Sequence, residues 1–432
     1  MNAKKAPEVL YIFLKITYVF AEVCPLCGSN NKKSLLNLGL QPPANALCNT
    51  YEEAIEMEKF DLSLEICNDC LYVWLKKKLS PDVLFKHNTY ITGVSTTTRG
   101  DMEKFYASCL QNINIPKGGK ILDIASNDGT LLSSFKKDGY IVLGVEPSEN
   151  AFKLAVKNGI TTLNVFFNSD TSKKIMKEHG KFHLVTATNL ITHVNEPIEF
   201  LMAAKELLEE SGSIALEFYY FESLISNIAF DQIYHEHVSY FNLTTFIQML
   251  EKVGLMAYHA EVVSSQGGSL RVFVSFPGKH EADDTIKRLI SIEGTHNDIK
   301  RRYENFANSV HQRTKEITEL LKFNYSEGNV IAGYGASAKA TVLTNYLKLN
   351  GEVIKGIADL SDTKQGKYVP GVGIPVVSPH SLANLSPDVI VIFSWNIAIE
   401  IINQLSIIIK KPFVAVTFMP MLKQKTVDRV AL

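Results

Sequence analysis

The chain has 432 residues, 46% hydrophobic and 21% charged, and its 44 basic and 45 acidic side chains leave a formal net charge of −1. That length exceeds the ~250–300 residues at which one core usually divides, so two or three domains are expected. With no basic block or arm, the charge balance leaves out nucleic acid and an anionic membrane as partners and points to small, buried substrates.

Residues 1–21 form an extension containing the apolar run EVLYIFLKITYVF at 8–20 behind Lys4 and Lys5. The run is shorter than the ~20 apolar residues of a spanning helix and is broken by Lys15, so no membrane segment is expected. A signal peptide, a first strand or an early start codon are all compatible with it. No role follows for this stretch.

Four of the six cysteines pair as Cys24-Pro-Leu-Cys27 and Cys67-Asn-Asp-Cys70, and Gly28 follows the first pair. Each spacing lets two thiolates grip one tetrahedral ion from a tight turn, so a structural zinc in a module over 22–86 is expected. A redox dithiol would need a thioredoxin-like strand and helix around it, which the sequence lacks. Metal ligation in place of disulfides places the chain in a reducing compartment, the cytoplasm. Leu-Gly-Leu-Gln-Pro-Pro at 38–43 must form its own loop or strands between the pairs, and Cys48 and Cys109 stand alone as ordinary buried thiols.

A middle domain over 87–279 opens with the strand KILDIA at 120–125, whose Asp123 precedes Ser126-Asn127-Asp128-Gly129-Thr130 and a helix start. Strand, small-residue turn and helix in that order present a ligand at the carboxyl end of a doubly wound sheet. A second strand, 141–145, ends in Glu146, where an acidic side chain can accept both hydroxyls of a ribose. The turn has Ala125 and Ser126 where a pyrophosphate would require glycine. S-adenosylmethionine is therefore expected over NAD. Strands at 182–189 and 214–218 follow, with Asn189 and His193 either in the pocket or as a helix cap and a surface histidine.

The densest polar cluster is Tyr234-His235-Glu236-His237, followed by Ser239-Tyr240-Phe241. Such a run is costly to bury unless it is used. A histidine of near-neutral pKa could take a proton from carbon beside a ketone while a tyrosine hydroxyl polarised the ketone oxygen. Metal binding by His235 and His237 is the rival reading, though the helical H-E-x-x-H spacing is absent.

Residues 280–325 are charged and helix-prone, a helical connection to a last domain over 326–432. There Val330-Ile331-Ala332 leads into Gly333-Tyr-Gly335-Ala-Ser-Ala338, a G-x-G-x-x-A turn, and Asp359 ends the next strand. This fingerprint fits a dinucleotide better than the middle domain does, and leaves an NAD(P)-dependent oxidoreductase or epimerase open as an alternative.

The chain as a whole resembles the sugar C-methyltransferases that act on nucleotide-linked 4-keto-deoxysugars. The resemblance is carried by both cysteine pairs, Tyr90-Ile-Thr-Gly-Val-Ser-Thr-Thr, ILDIASNDGTLL from Ile121, Tyr234 to Tyr240, GGSLRV from Gly267, GYGASAKATVLTNYL from Gly333 and KQGKYVPG from Lys364. It implies an α/β protein with an N-terminal zinc-binding module, a central doubly wound class I methyltransferase domain and a C-terminal Rossmann-like α/β domain. It implies S-adenosylmethionine on Asp123, Ser126, Asn127, Asp128, Gly129, Glu146 and Asn189, and a structural zinc ion. His237 resembles the family's general base, with Glu236, Tyr234 and Tyr90 as groups that orient it or hold the sugar. The last domain then becomes a platform for the nucleotide-sugar, with Gly335 and Lys339 near its pyrophosphate. Gln266, where relatives often have histidine, and Thr96-Thr97-Thr98, which lacks a nearby tryptophan, depart from the pattern and leave the sugar open.

Overall fold

The computed structural model describes residues 19–80, 84 and 91–428. Its core is a seven-stranded sheet running Met256–Val263, Ser269–Ser275, Leu208–Tyr219, Phe182–Thr188, Lys120–Ile124, Ile141–Val145, Thr162–Leu163. The last five of these are mutually parallel, and Ser269–Ser275 runs antiparallel to both its neighbours. The central strands Lys120–Ile124 and Phe182–Thr188 are buried almost throughout, as expected of a parallel sheet covered on both faces. Connections leave Lys120–Ile124 toward one edge and return on its other side at Phe182–Thr188, so a crevice opens beyond the carboxyl ends of these two strands.

In front lies a four-stranded antiparallel sheet. Lys32–Gln41, Phe60–Cys67 and Val73–Leu75 build three strands, so the stretch between the cysteine pairs does form its own. The fourth strand comes from far along the chain: Ser239–Tyr240 pairs with Val73 and Trp74. The segment after the histidine cluster, expected within the middle domain, is thus an edge of the front sheet.

The connection comprises the helix Asp284–Glu293 and the 31-residue helix His296–Ser326, started by a capping box at Thr295. The long helix buries Ile299, Tyr303, Phe306, Val310, Ile317 and Leu321, a stripe at three- and four-residue spacing. That stripe joins one apolar core shared with Leu62 and Leu64 of the front sheet, Phe221 and Phe230 of the middle region, and Ile331 and Val391 of the last sheet. The last sheet has the order Val376–Val377, Ile357–Ala358, Ile331–Tyr334, Val389–Ile392, Phe413–Thr417, Lys423–Val427, parallel but for its final strand. Among the described residues no helix is long and apolar enough to cross a membrane.

Candidate active site

The four cysteines converge. Cys24 Sγ lies 3.5 Å from Cys70 Sγ, Cys27 Sγ lies 3.5 Å from Cys67 Sγ, and all four sulfurs fall within 4.8 Å of one another. A tetrahedral ion with Zn–S near 2.3 Å needs sulfurs about 3.8 Å apart, so these thiolates fit a closed structural zinc site. Gly28, at φ 78°, turns the first knuckle so that its N–H reaches the Cys24 carbonyl. Among the described residues this is the single group of three or more metal-ligating side chains that converges. The rival metal reading at His235 and His237 therefore finds no ligand set. Cys48 and Cys109 are buried thiols, both pushed above the usual cysteine range chiefly by burial.

The candidate cofactor turn leaves Lys120–Ile124 with Ala125 at φ 59° and Asn127 at φ 51°, and Gly129 at φ 76° caps the helix Thr130–Lys137. Asparagine tolerates the left-handed region; alanine accepts it at a cost of ~1 kcal/mol. The fold thus reaches, with glycine at Gly129 alone, the tight turn that places ligand-facing backbone at the carboxyl end of the first strand. Glu146 Oε2 accepts from Asn127 N at 2.9 Å and Oε1 from Ser148 N at 2.7 Å, which locks the turn to the end of the second strand. Burial raises the Glu146 pKa and pushes the Asp123 carboxyl, which accepts from Thr186 Oγ1 at 2.7 Å, to about 7.

Ser126 Oγ is buried with no hydrogen-bond partner among the described residues. An unspent hydroxyl at the turn, and a Glu146 carboxylate with lone pairs beyond its two backbone bonds, fit the polar edge of an adenosyl cofactor. Asn127 and Asp128 are partly committed elsewhere: their carboxamide and carboxylate oxygens accept from Thr92 N at 2.9 Å and Gly93 N at 3.0 Å. These two residues fasten the Thr92–Val94 turn over the site, a role their spacing in the sequence does not reveal. Asn189 ends the fourth strand at φ 53°, its N–H held by the Glu217 carbonyl at 2.7 Å.

His237 is almost wholly buried and fixed from both sides. Its Nδ1–H donates to the Gln232 carbonyl at 2.7 Å, which leaves Nε2 to accept from the Tyr234 hydroxyl at 2.8 Å. Burial, aided by neighbouring His193, pulls its pKa well below the usual histidine range, so the imidazole is neutral at pH 7 rather than poised near neutrality as expected. His193 is half-buried: its ring packs 4.7 Å from His237 and its Nδ1–H donates to the Glu236 carbonyl at 2.7 Å. Val238 N bonds the Thr192 carbonyl at 2.7 Å, tying the histidine cluster to the loop that follows the fourth central strand. That bond ties the cluster to the carboxyl end of the strand Phe182–Thr188, which borders the crevice.

Glu236 is buried with Oε1 accepting from Asn45 Nδ2 at 2.9 Å. His235 turns the other way, edge-on to Phe60 of the front sheet, with its pKa lowered to about 4 by burial. Tyr90 lies outside the described residues.

From the last domain, Lys339 reaches the same region. Its Nζ donates to Asn396 Oδ1 at 2.8 Å and lies 5.3 Å from the centre of the Trp395 ring, whose N–H donates to Asp231 Oδ2 at 2.9 Å. Burial lowers the Lys339 pKa, and its charge is among the causes that depress His237. Sequence reasoning named Lys339 but missed Asp231, Trp395 and Asn396; one of only two tryptophans was the available signal.

The G-x-G-x-x-A turn is filled by the chain itself. At Gly335, φ 93°, a Cβ would overlap Ser394 Oγ, so this glycine accommodates a serine of its own domain. Asp359, in the ribose-binding position of the fingerprint, accepts from Ser361 N at 2.9 Å and pairs with Lys364 at 3.1 Å, while Lys364 also donates to the Ala336 carbonyl at 3.0 Å. A dinucleotide would have to displace this clip.

A sheet with a single antiparallel insertion, an acidic second-strand end and a glycine-poor turn define an S-adenosylmethionine-dependent methyltransferase. Family models agree along the chain: a zinc binding domain over residues 24–85, a methyltransferase domain over 98–260 and a C-methyltransferase C-terminal domain over 264–420. The C-methyltransferase NovU of Streptomyces niveus is 30% identical over 382 residues, covering 88% of this chain and 91% of that protein. The chain belongs to this C-methyltransferase family.

Other relatives match smaller parts of the chain. The ubiquinone biosynthesis O-methyltransferase of Haemophilus ducreyi is 30% identical over 108 residues, 23% of this chain and 44% of that protein. The magnesium protoporphyrin IX methyltransferase of Synechocystis PCC 6803, solved with bound SAM, is 14% identical with a TM-score of 0.32, covering 41% of this chain and 79% of that one.

Proposed function

We propose that the enzyme methylates carbon beside the ketone of a nucleotide-linked keto-deoxysugar, in the cytoplasm. S-adenosylmethionine, when bound, supplies the electrophilic methyl group. The observation that carries the reading is the Tyr234–His237 pair: a neutral imidazole whose tautomer is set by the Gln232 carbonyl and whose Nε2 faces a phenol hydroxyl. Such a pair can hold or move one proton at Nε2. The substrate C–H bond breaks, its proton goes to Nε2, and its electron pair becomes the enolate, whose new bond to the methyl group would form as the sulfur–methyl bond breaks and leaves its electron pair on the thioether of S-adenosylhomocysteine. Tyr234, as it gives up its bond to Nε2, can donate to the enolate oxygen. Glu236 orients the cluster, Lys339 supplies positive charge toward the anionic part of the substrate, and Glu146, Asp123 and Ser126 hold the cofactor end of the crevice.

The test is methyl transfer from S-adenosylmethionine to a panel of nucleotide-linked 4-keto-sugars, read by mass spectrometry. A gain of one methylene on carbon supports the reading. Methylation confined to oxygen or nitrogen acceptors, with every keto-sugar untouched, refutes it.

A further inference from the structure

We infer that Asn45 is a positioning residue for Glu236, delivered into the methyltransferase centre by the zinc module. The inference rests on the reading of Glu236 as a member of the catalytic cluster. Glu236 is 3% exposed, and the Asn45 carboxamide N–H is its one side-chain hydrogen bond among the described residues. Its Oε2 is buried without a partner, as is the neighbouring Tyr240 hydroxyl. The other groups that face it are the Tyr240 phenol and the His193 ring, which binds the Glu236 backbone carbonyl and not the carboxylate. No lysine or arginine among the described residues pairs with it, so neutral donors alone, the Asn45 carboxamide together with the backbone N–H groups of Glu236 and Asn45, support this carboxylate against burial.

The mount of that donor is rigid. Asn45 sits on the Pro-Pro-Ala-Asn loop, and the chain is clamped to the last domain on both sides of it. Thr341 Oγ1 donates to the Ala44 carbonyl at 2.8 Å, while Cys48 and Tyr368 exchange backbone bonds of 3.0 and 2.8 Å. The front module supplies the amide, the last domain fixes its position, and the middle region carries the carboxylate it holds. Asn45 therefore stands where all three parts of the chain meet.

The chemistry has a direction. A donor to the carboxylate favours its charged form, so removal of the amide raises the Glu236 pKa, which burial has already raised. Turnover that needs Glu236 ionised then falls at neutral pH and returns as pH rises. A hydrogen bond to a charged group is lost, which corresponds to about a tenfold to hundredfold fall at the pH of the wild-type plateau.

The experiment measures kcat and kcat/KM against pH for the zinc-loaded wild type, Asn45→Ala, the near-isosteric Asn45→Asp and Glu236→Gln, with S-adenosylhomocysteine affinity alongside. Asn45→Ala is expected to move the acidic limb upward with part of the activity recovered at high pH. Asn45→Asp, which sets two carboxylates face to face, is expected to move it further, and cofactor affinity is expected to stay constant in both. Wild-type turnover in Glu236→Gln would sink the reading of Glu236 itself. With Glu236→Gln inactive, an Asn45→Ala or Asn45→Asp profile that keeps the wild-type limb, whether at full or uniformly lowered rate, overturns the inference about Asn45.

Discussion

Loss of the zinc ion is predicted to stop chemistry before it disturbs cofactor binding. A closed four-cysteine site contributes ~10–16 kcal/mol, as much as the whole ~5–15 kcal/mol stability of an ordinary domain, so the front sheet cannot keep its form without the metal. That sheet holds the proposed catalytic segment directly. Leu75 N donates to the Val238 carbonyl at 2.9 Å, Tyr72 Oη to Ser239 Oγ at 2.7 Å, and Asn45 to Glu236 at 2.9 Å. At about 1 kcal/mol for each neutral bond and ~1.5–3 kcal/mol for the one to the carboxylate, these bonds place residues 236–239 with ~4 kcal/mol, and a displacement of one ångström at such a group costs about a hundredfold.

Glu146, Asp123 and Ser126 stand on the seven-stranded sheet, whose strands pair among themselves, and are expected to keep their places although Cys24, Cys67 and Cys70 share an apolar core with Leu122 and Ile124. Protein stripped by a chelator, and the variant at the exposed ligand, Cys27→Ser, should lose at least a hundredfold in turnover. Calorimetric affinity for S-adenosylhomocysteine should change only a few-fold, and stoichiometric zinc should restore the stripped protein. Full turnover in protein shown by metal analysis to be zinc-free would refute the reasoning.

Tyr234→Phe removes the hydroxyl that bonds His237 Nε2 and should lower kcat by about 10²–10⁴ with unchanged cofactor affinity; a near-normal kcat would remove the phenol from the chemistry. Because burial disfavours the His237 imidazolium, the base stays unprotonated to lower pH than a free histidine. An NMR titration of the His237 ring should accordingly place its midpoint below pH ~6.5, and a midpoint above that value would contradict the assignment. Gly335→Ala meets both a left-handed φ of 93° and the Ser394 hydroxyl, so urea unfolding should report a loss of about 1–3 kcal/mol; an unchanged midpoint would show that the turn relaxes freely.

Local pattern carried much of this into view, and long-range pairing carried the rest out of it. The KILDI strand and its turn were legible because an apolar run followed by small residues is a short-range signal. The zinc site was legible because two-residue spacing within each cysteine pair is set by the ligand geometry. The pairing of Tyr72 with Ser239 spans 167 positions and leaves no periodic trace, so the catalytic segment read as part of the middle domain alone.

His193 was obscure for the same reason. It lies 43 positions before the Glu236 carbonyl it binds, and only the turn after the fourth strand brings them together. The G-x-G-x-x-A turn misleads in the other direction, since spacing cannot show that Ser394 and Lys364 already occupy the positions a dinucleotide would use. The depression of the His237 pKa was equally out of reach, because it is a consequence of enclosure rather than of residue type.

The most direct measurement is solvent deuterium incorporation at the carbon beside the ketone of a nucleotide-linked 4-keto-sugar, with S-adenosylhomocysteine present so that no methyl can transfer. The wild type should exchange that hydrogen and His237→Asn should not, while both bind S-adenosylhomocysteine equally. Exchange that continues at the wild-type rate without the imidazole would contradict the account.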